Sequence, residues 1–181
     1  MVGMTGTREA VMAGETIRQG TAVELWQGLL GEGEARAGCA LGEEVQSYLV
    51  FALLRHLRDP HLLGRVLALE WLDAHERAGS QRVDTLRDVG DRCLLIAGLF
   101  PQQARRRRVD GDYFIALGRS AYGSAADVAS PGYAALFGQL VTAYQAMVRV
   151  LSALDPARMA TVGGGTMAAP SSTRPQGAAL H

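Results

Sequence analysis

RVDTLRDVGDRCLLIAGLFPQQARRRRVDGDYFIALGRSAY, residues 82–122, decides the fold class. Leu86, Val89, Cys93, Ile96 and Phe100 recur at steps of three and four, which puts one apolar stripe on an α-helix and excludes the alternation of a strand. Pro101 ends that helix and begins a short one to Arg108, and Asp110-Gly111 opens another through about Ala126, with Phe114, Leu117 and Ala121 on one face. Gly118 and Gly123 lower the propensity of this last helix and allow a close approach by a neighbour. Arg87 and Asp91, and Asp88 and Arg92, stand four residues apart, the spacing of ion pairs on an outward helix face. The pattern therefore predicts these four charges in solvent.

The same three-and-four rhythm extends in both directions. Residues 43–58 begin with acids, and the run YLVFALL at 48–54 is apolar on every side yet too short to cross a membrane, so it is expected to be the buried central element. Asp59 and Pro60 read as the cap and first residue of a helix that carries Leu62, Leu63, Val66, Leu67, Leu69 and Leu72 and is stopped by Gly79. Upstream, a weaker segment from about Thr7 to Gly31 is anchored by Val23, Leu25, Trp26, Leu29 and Leu30 and leads into a glycine-rich linker, GEGEARAGCALG.

The strongest period lies in Gly132–Leu154, where Tyr133, Phe137, Leu140, Tyr144, Met147, Leu151 and Leu154 alternate steps of four and three. No charged residue occurs between Asp127 and Arg149, so a second face of Ala135, Gln139, Thr142 and Ala146 is polar at most mildly. Gln139, Thr142 and Gln145 recur at helical spacing and argue against a membrane span. Beyond Asp155 the composition turns to Gly, Ala, Ser, Thr and Pro, which cannot offset the entropy of ordering. The expected architecture is all-α: a single-domain helical bundle of five to seven helices, with residues 1–20 weakly ordered, 21–155 the helical domain and 156–181 a disordered tail.

Composition narrows the chemistry. The 181 residues include no lysine and no asparagine, and arginine supplies all 18 basic charges, a bias that a GC-rich bacterial genome produces. Schiff-base lysines, phosphate-loop lysines and Cys-His-Asn arrangements are excluded outright. Cys39 and Cys93 have neither metal nor redox spacing, and the N-terminus shows no continuous apolar stretch, which together point to a reducing, cytoplasmic setting. Cys93, on the apolar stripe, reads as a core residue. Ser120 lies outside any nucleophile-elbow motif. No histidine has a glutamate three positions before it, and His56 and His61 straddle the Asp59-Pro60 break, so no metal ligand and no cofactor is assigned.

Two features remain as candidate sites. The first is the run Arg105, Arg106, Arg107, Arg108, with Arg119 on the next helix, which suits an anion or an acidic partner. Successive residues fan around a helix by about 100°, so no more than two of the four can face one ligand. A solvated helix end balanced by Asp110 and Asp112 accounts for the same run. The second is the uncharged face of the last helix, marked by Gln139, Thr142 and Ala146, which suits burial against a protein partner or a second copy. No nucleic-acid motif accompanies the arginines, so nucleic acid is not an expected partner. Charge is lopsided: 7 arginines face 11 acids in residues 1–81, and 11 face 7 in residues 82–181. The expectation is a non-enzymatic interaction or assembly protein using the last helix and the arginine turn. Its alternative is a protein or small helical enzyme that binds an anionic small molecule between segments 84–99, 101–108 and 111–126.

Overall fold

The computed structural model describes residues 6–63, 66–106 and 109–162, with side chains from residue 21 onward. The fold is all-α. Among the described residues the elements run α1 (Gly6–Ala37), α2 (Glu43–His56), α3 (Leu67–Glu76), α4 (Gly79–Leu99), α5 (Pro101–Arg106), α6 (Gly111–Val128), α7 (Pro131–Ser152) and α8 (Pro156–Val162). Eight helices thus stand where five to seven were expected.

Helix α4 is the spine. It packs against α2, α3, α5, α6 and α7, and every residue from Val89 to Gly98 is buried. Small side chains make this possible. A methyl group at Gly90 would strike the Tyr122 ring, one at Gly98 would come within 2.5 Å of the Leu151 side chain, and one at Gly118 on α6 would overlap the Tyr144 hydroxyl and come within 2.8 Å of the Cys93 Cβ. The expected close approach thus occurs at Gly118, while Gly123 has nothing near its missing side chain. The main core joins Trp26, Leu30, Leu49, Leu53, Leu86, Leu94, Tyr122, Phe137, Leu140 and Tyr144 across α1, α2, α4, α6 and α7. A second cluster, under α3 and α5, holds Leu67, Val89, Cys93, Ile96, Ala104 and Ala121.

Several expectations are corrected by this packing. The run at 48–54 is not the central element: Leu49, Val50, Ala52 and Leu53 are buried, but Phe51 is exposed because only one side of α2 meets the body. Asp59-Pro60 does not start a helix. The Asp59 carboxylate accepts the His61 N–H at 2.8 Å in a local turn, and α3 begins only at Leu67, leaving Val66, Leu69 and Leu72 exposed. Gly79, at φ 60°, opens α4 rather than closing its predecessor. The glycine-rich linker is helical as far as Ala37, because Gly33 packs directly against Val150 and Leu154. The chain then turns at Gly38, φ 62°, where the Cys39 N–H donates to the Glu34 carbonyl at 3.2 Å in a left-handed cap.

Helix α7 follows Ser130 with Pro131 in its first turn, and its stripe is buried from Phe137 through Leu151, but Tyr133 is exposed. By length and composition α7 alone among the described residues could cross a membrane, with 22 residues and a mean hydropathy of 1.2 in its most apolar window; its stripe instead forms core. Residues 156–162, assigned by composition to the tail, form α8, which lies against α1 with Arg158 paired to Glu32. The rest of the expected tail, 163–181, lies outside the described residues. Of the N-terminal segment, residues 6–20 belong to α1, and 1–5 lie outside the described residues.

Candidate functional site

The largest correction concerns Asp91, expected on an outward face and found fully buried. The stripe of α4 packs under α3 and α5, but α2 and α6 close over Asp91 beside it, so this charge is enclosed. Arg87 pairs with Asp84 at 3.1 Å and Asp88 at 3.6 Å instead of with Asp91. Arg92, also buried, reaches Glu70 at 3.1 Å and Asp59 at 3.7 Å.

Asp91 collects four donors from two helices, α2 and α6. Its Oδ1 accepts the Tyr48 hydroxyl at 2.6 Å and the Tyr122 hydroxyl at 2.8 Å. Its Oδ2 accepts Arg55 Nη1 at 2.9 Å and lies 3.2 Å from His56 Nε2. A carboxylate offers about four lone-pair directions, so each is filled, and the ring nitrogen facing it carries the hydrogen. Burial, and then the charge of Asp91, pushes the Tyr48 and Tyr122 hydroxyls well above the ordinary tyrosine range. The rings are stacked edge-on, Tyr48 to Tyr122 at 6.1 Å and Tyr122 to Tyr144 at 5.8 Å. Tyr144 is the exception within this group. Its hydroxyl is buried without a hydrogen-bond partner among the described residues, and burial raises its pKa first, with the nearby Cys93 adding to the effect. Cys93 is a core thiol, as expected, with its ionisation driven up by burial.

His56, Asp88 and Asp91 place potential metal-ligand atoms within 4.8 Å of one another. The donor set does not fit a cation. Both Asp91 oxygens are filled, Arg55 supplies the countercharge, and Arg87 stands beside Asp88. A divalent ion would have to displace hydroxyls and guanidinium groups already in place. Asp91 is a satisfied hydrogen-bond node that ties α2, α4 and α6 together.

Two concavities flank the node. A cleft of about 250 Å³ between α3 and α4 is lined by Glu70, Asp73, Arg77, Asp84, Thr85, Asp88 and Arg92. Its four acids outnumber its two arginines, which disfavours anionic ligands. A larger groove of about 790 Å³ runs between α2 and the start of α7, lined by Glu44, Ser47, Tyr48, Phe51, Ser130, Gly132, Tyr133, Ala135, Leu136 and Gln139. Tyr48 links the two features: its ring lines the groove while its hydroxyl is held by Asp91. No family model, curated protein or solved structure matches the chain.

The residues singled out by sequence fare unevenly. Gln139 lines the groove, where its Nε2 donates to Glu44 Oε2 at 2.7 Å. Thr142 is exposed on α7 and donates to the Gly138 carbonyl at 3.0 Å, and Ala146 is half-buried; neither lines the groove. Arg105, Arg106 and Arg119 are exposed, and they line neither the groove nor the cleft. Arg107 and Arg108 lie outside the described residues. Sequence reasoning missed Asp91, His56, Tyr48 and Tyr122. One signal was present: Leu94 and Leu95 fall off the stripe of Cys93 and Ile96, so α4 is apolar all round just after Asp91 and Arg92.

Proposed function

We propose that this chain is a non-enzymatic interaction protein whose partner surface is the groove between α2 and the first half of α7. One observation carries the reading: Phe51 and Tyr133 stand 55% and 62% exposed along a groove of about 790 Å³ with a single charged lining residue, Glu44. Large apolar side chains exposed together beside a concavity, with charge kept to the rim, are the features of a binding surface. The groove has a fixed floor, because swinging Tyr48 away would take a donor from the buried Asp91. The setting consistent with two free cysteines and the codon-biased composition is a bacterial cytoplasm, with either another protein or a second copy as partner.

Site-specific photo-crosslinking in cells tests the proposal, with p-benzoylphenylalanine placed at position 133 in one variant and at position 119 in the other. The groove reading expects protein-sized adducts from position 133 and none above background from 119. Adducts from 119 alone would transfer the function to the arginine-bearing side and its anionic or acidic partners.

A further inference from the structure

We infer that the occupant of this groove is a basic amphipathic helix of a partner protein, its apolar face on Phe51, Tyr133 and Leu136 and a cationic side chain at Glu44. The inference rests on the reading of the groove as a partner surface and adds the chemistry of the partner.

Charge complementarity carries it. Glu44 is the only ionisable carboxylate or base that lines the groove apart from tyrosine hydroxyls. Its Oε2 is held by Gln139, an uncharged donor, and its Oε1 has no hydrogen-bond partner among the described residues. Nothing on the opposing wall neutralises it, because α7 bears no charged residue before Arg149, and the N-terminus of its own helix α2, in whose first turn both Glu43 and Glu44 stand, offers only about half a positive charge to the two carboxylates. The positive N-terminal end of α7, at Pro131, lies eight residues from Gln139, about 12 Å along the axis and beyond the last-turn range of the helix dipole. Glu43, exposed on the same turn of α2, adds a second negative charge at that end. An acidic occupant would set like charges against each other, and an uncharged one would cover Glu44 without supplying a donor. A guanidinium or ammonium group supplies the donor and also suits the neighbouring aromatic faces of Tyr48, Phe51 and Tyr133, while its aliphatic stem covers apolar surface. A groove between two helices, lined from Glu44 to Phe51 on one wall and from Ser130 to Gln139 on the other, suits anchors at i, i+3 or i+4, and i+7 of a docked helix.

The test is selection from a displayed library of helical peptides of about 15 residues, panned on the full chain and read by sequencing. Winners are expected to pair apolar anchors at helical spacing with an enriched arginine or lysine. A winner made synthetically is expected to lose about tenfold in affinity against Glu44→Gln, and at least as much against Phe51→Asp or the milder Phe51→Ser, with helicity of each variant checked by circular dichroism. Uncharged or acidic winners, or affinity indifferent to Glu44→Gln, overturn the basic-partner inference while sensitivity to Phe51 keeps the groove reading. No enrichment, or winners indifferent to both Phe51 variants, overturns both.

Discussion

Replacing Asp91 by alanine should cost far more than its surface-like sequence pattern suggests. In the fold the substitution strips the acceptor from the fully buried Tyr122 hydroxyl, the buried His56 ring and the half-buried Tyr48 hydroxyl, and removes the countercharge of Arg55. Each orphaned buried donor costs about 1–3 kcal/mol. Arg55 adds little, since its side chain is 39% exposed and can turn to water. Relief of the carboxylate's own desolvation offsets part of the loss, so the net expectation is about 3–5 kcal/mol, the range for breaking a buried charged pair. Asp91→Asn keeps the shape and one acceptor and should fall between alanine and wild type. Urea unfolding followed at 222 nm, with a shared m-value, measures the difference. If Asp91 were instead the outward i,i+4 partner of Arg87, the cost would be roughly 0.5 kcal/mol or less. A measured loss below about 1 kcal/mol for Asp91→Ala would refute the buried node. A double-mutant cycle with Tyr48→Phe adds a second check, since two side chains in direct contact should show a coupling energy.

Other consequences follow from the same packing. Tyr144→Phe removes a buried hydroxyl that has no partner and should be neutral or stabilising by about 1 kcal/mol. Gly118→Ala should destabilise by about 1–3 kcal/mol, and Tyr144→Phe should recover part of that loss, because the hydroxyl is the nearest obstacle to the new methyl; purely additive thermal-melt shifts would contradict the contact. Tyr48, Tyr122 and Tyr144 are held protonated by burial, with the charge of Asp91 reinforcing the effect at all three. In the unfolded chain tyrosine loses its proton near pH 10, so the stability tied to these groups is complete below that pH and is lost as pH rises, by up to about 1.4 kcal/mol per tyrosine per unit. These three groups should therefore lower the unfolding free energy by about 3 kcal/mol between pH 10 and 11, with the 295 nm absorbance change of these three tyrosines appearing only on unfolding; their titration in the intact fold would contradict this burial.

The class of the fold was legible because periodicity is a local property. Leu86, Val89, Cys93 and Ile96 are buried where their spacing puts them, and so are Phe137, Leu140, Tyr144 and Met147. Gly118 likewise marks a real close approach. What local pattern cannot say is how many sides of a helix are covered. Arg87–Asp91 and Asp88–Arg92 have the spacing of solvated ion pairs, and only the arrival of α2 and α6 over this side of α4 encloses Asp91. Its tyrosine partners lie 43 and 31 positions away, so no linear motif could announce them. The groove was half legible. The lack of charge in α7 points to Gln139, whereas Phe51 reads as core from sequence because its neighbours are core.

We propose the groove, rather than the arginine-bearing turn, as the working surface. Isothermal titration of the partner recovered by crosslinking, against wild type, Phe51→Asp and Arg105→Ala, tests it most directly. The claim predicts a loss of about 2 kcal/mol, roughly 30-fold, for Phe51→Asp with the fold intact, and unchanged affinity for Arg105→Ala. Binding weakened by Arg105→Ala and unaffected by Phe51→Asp would contradict it.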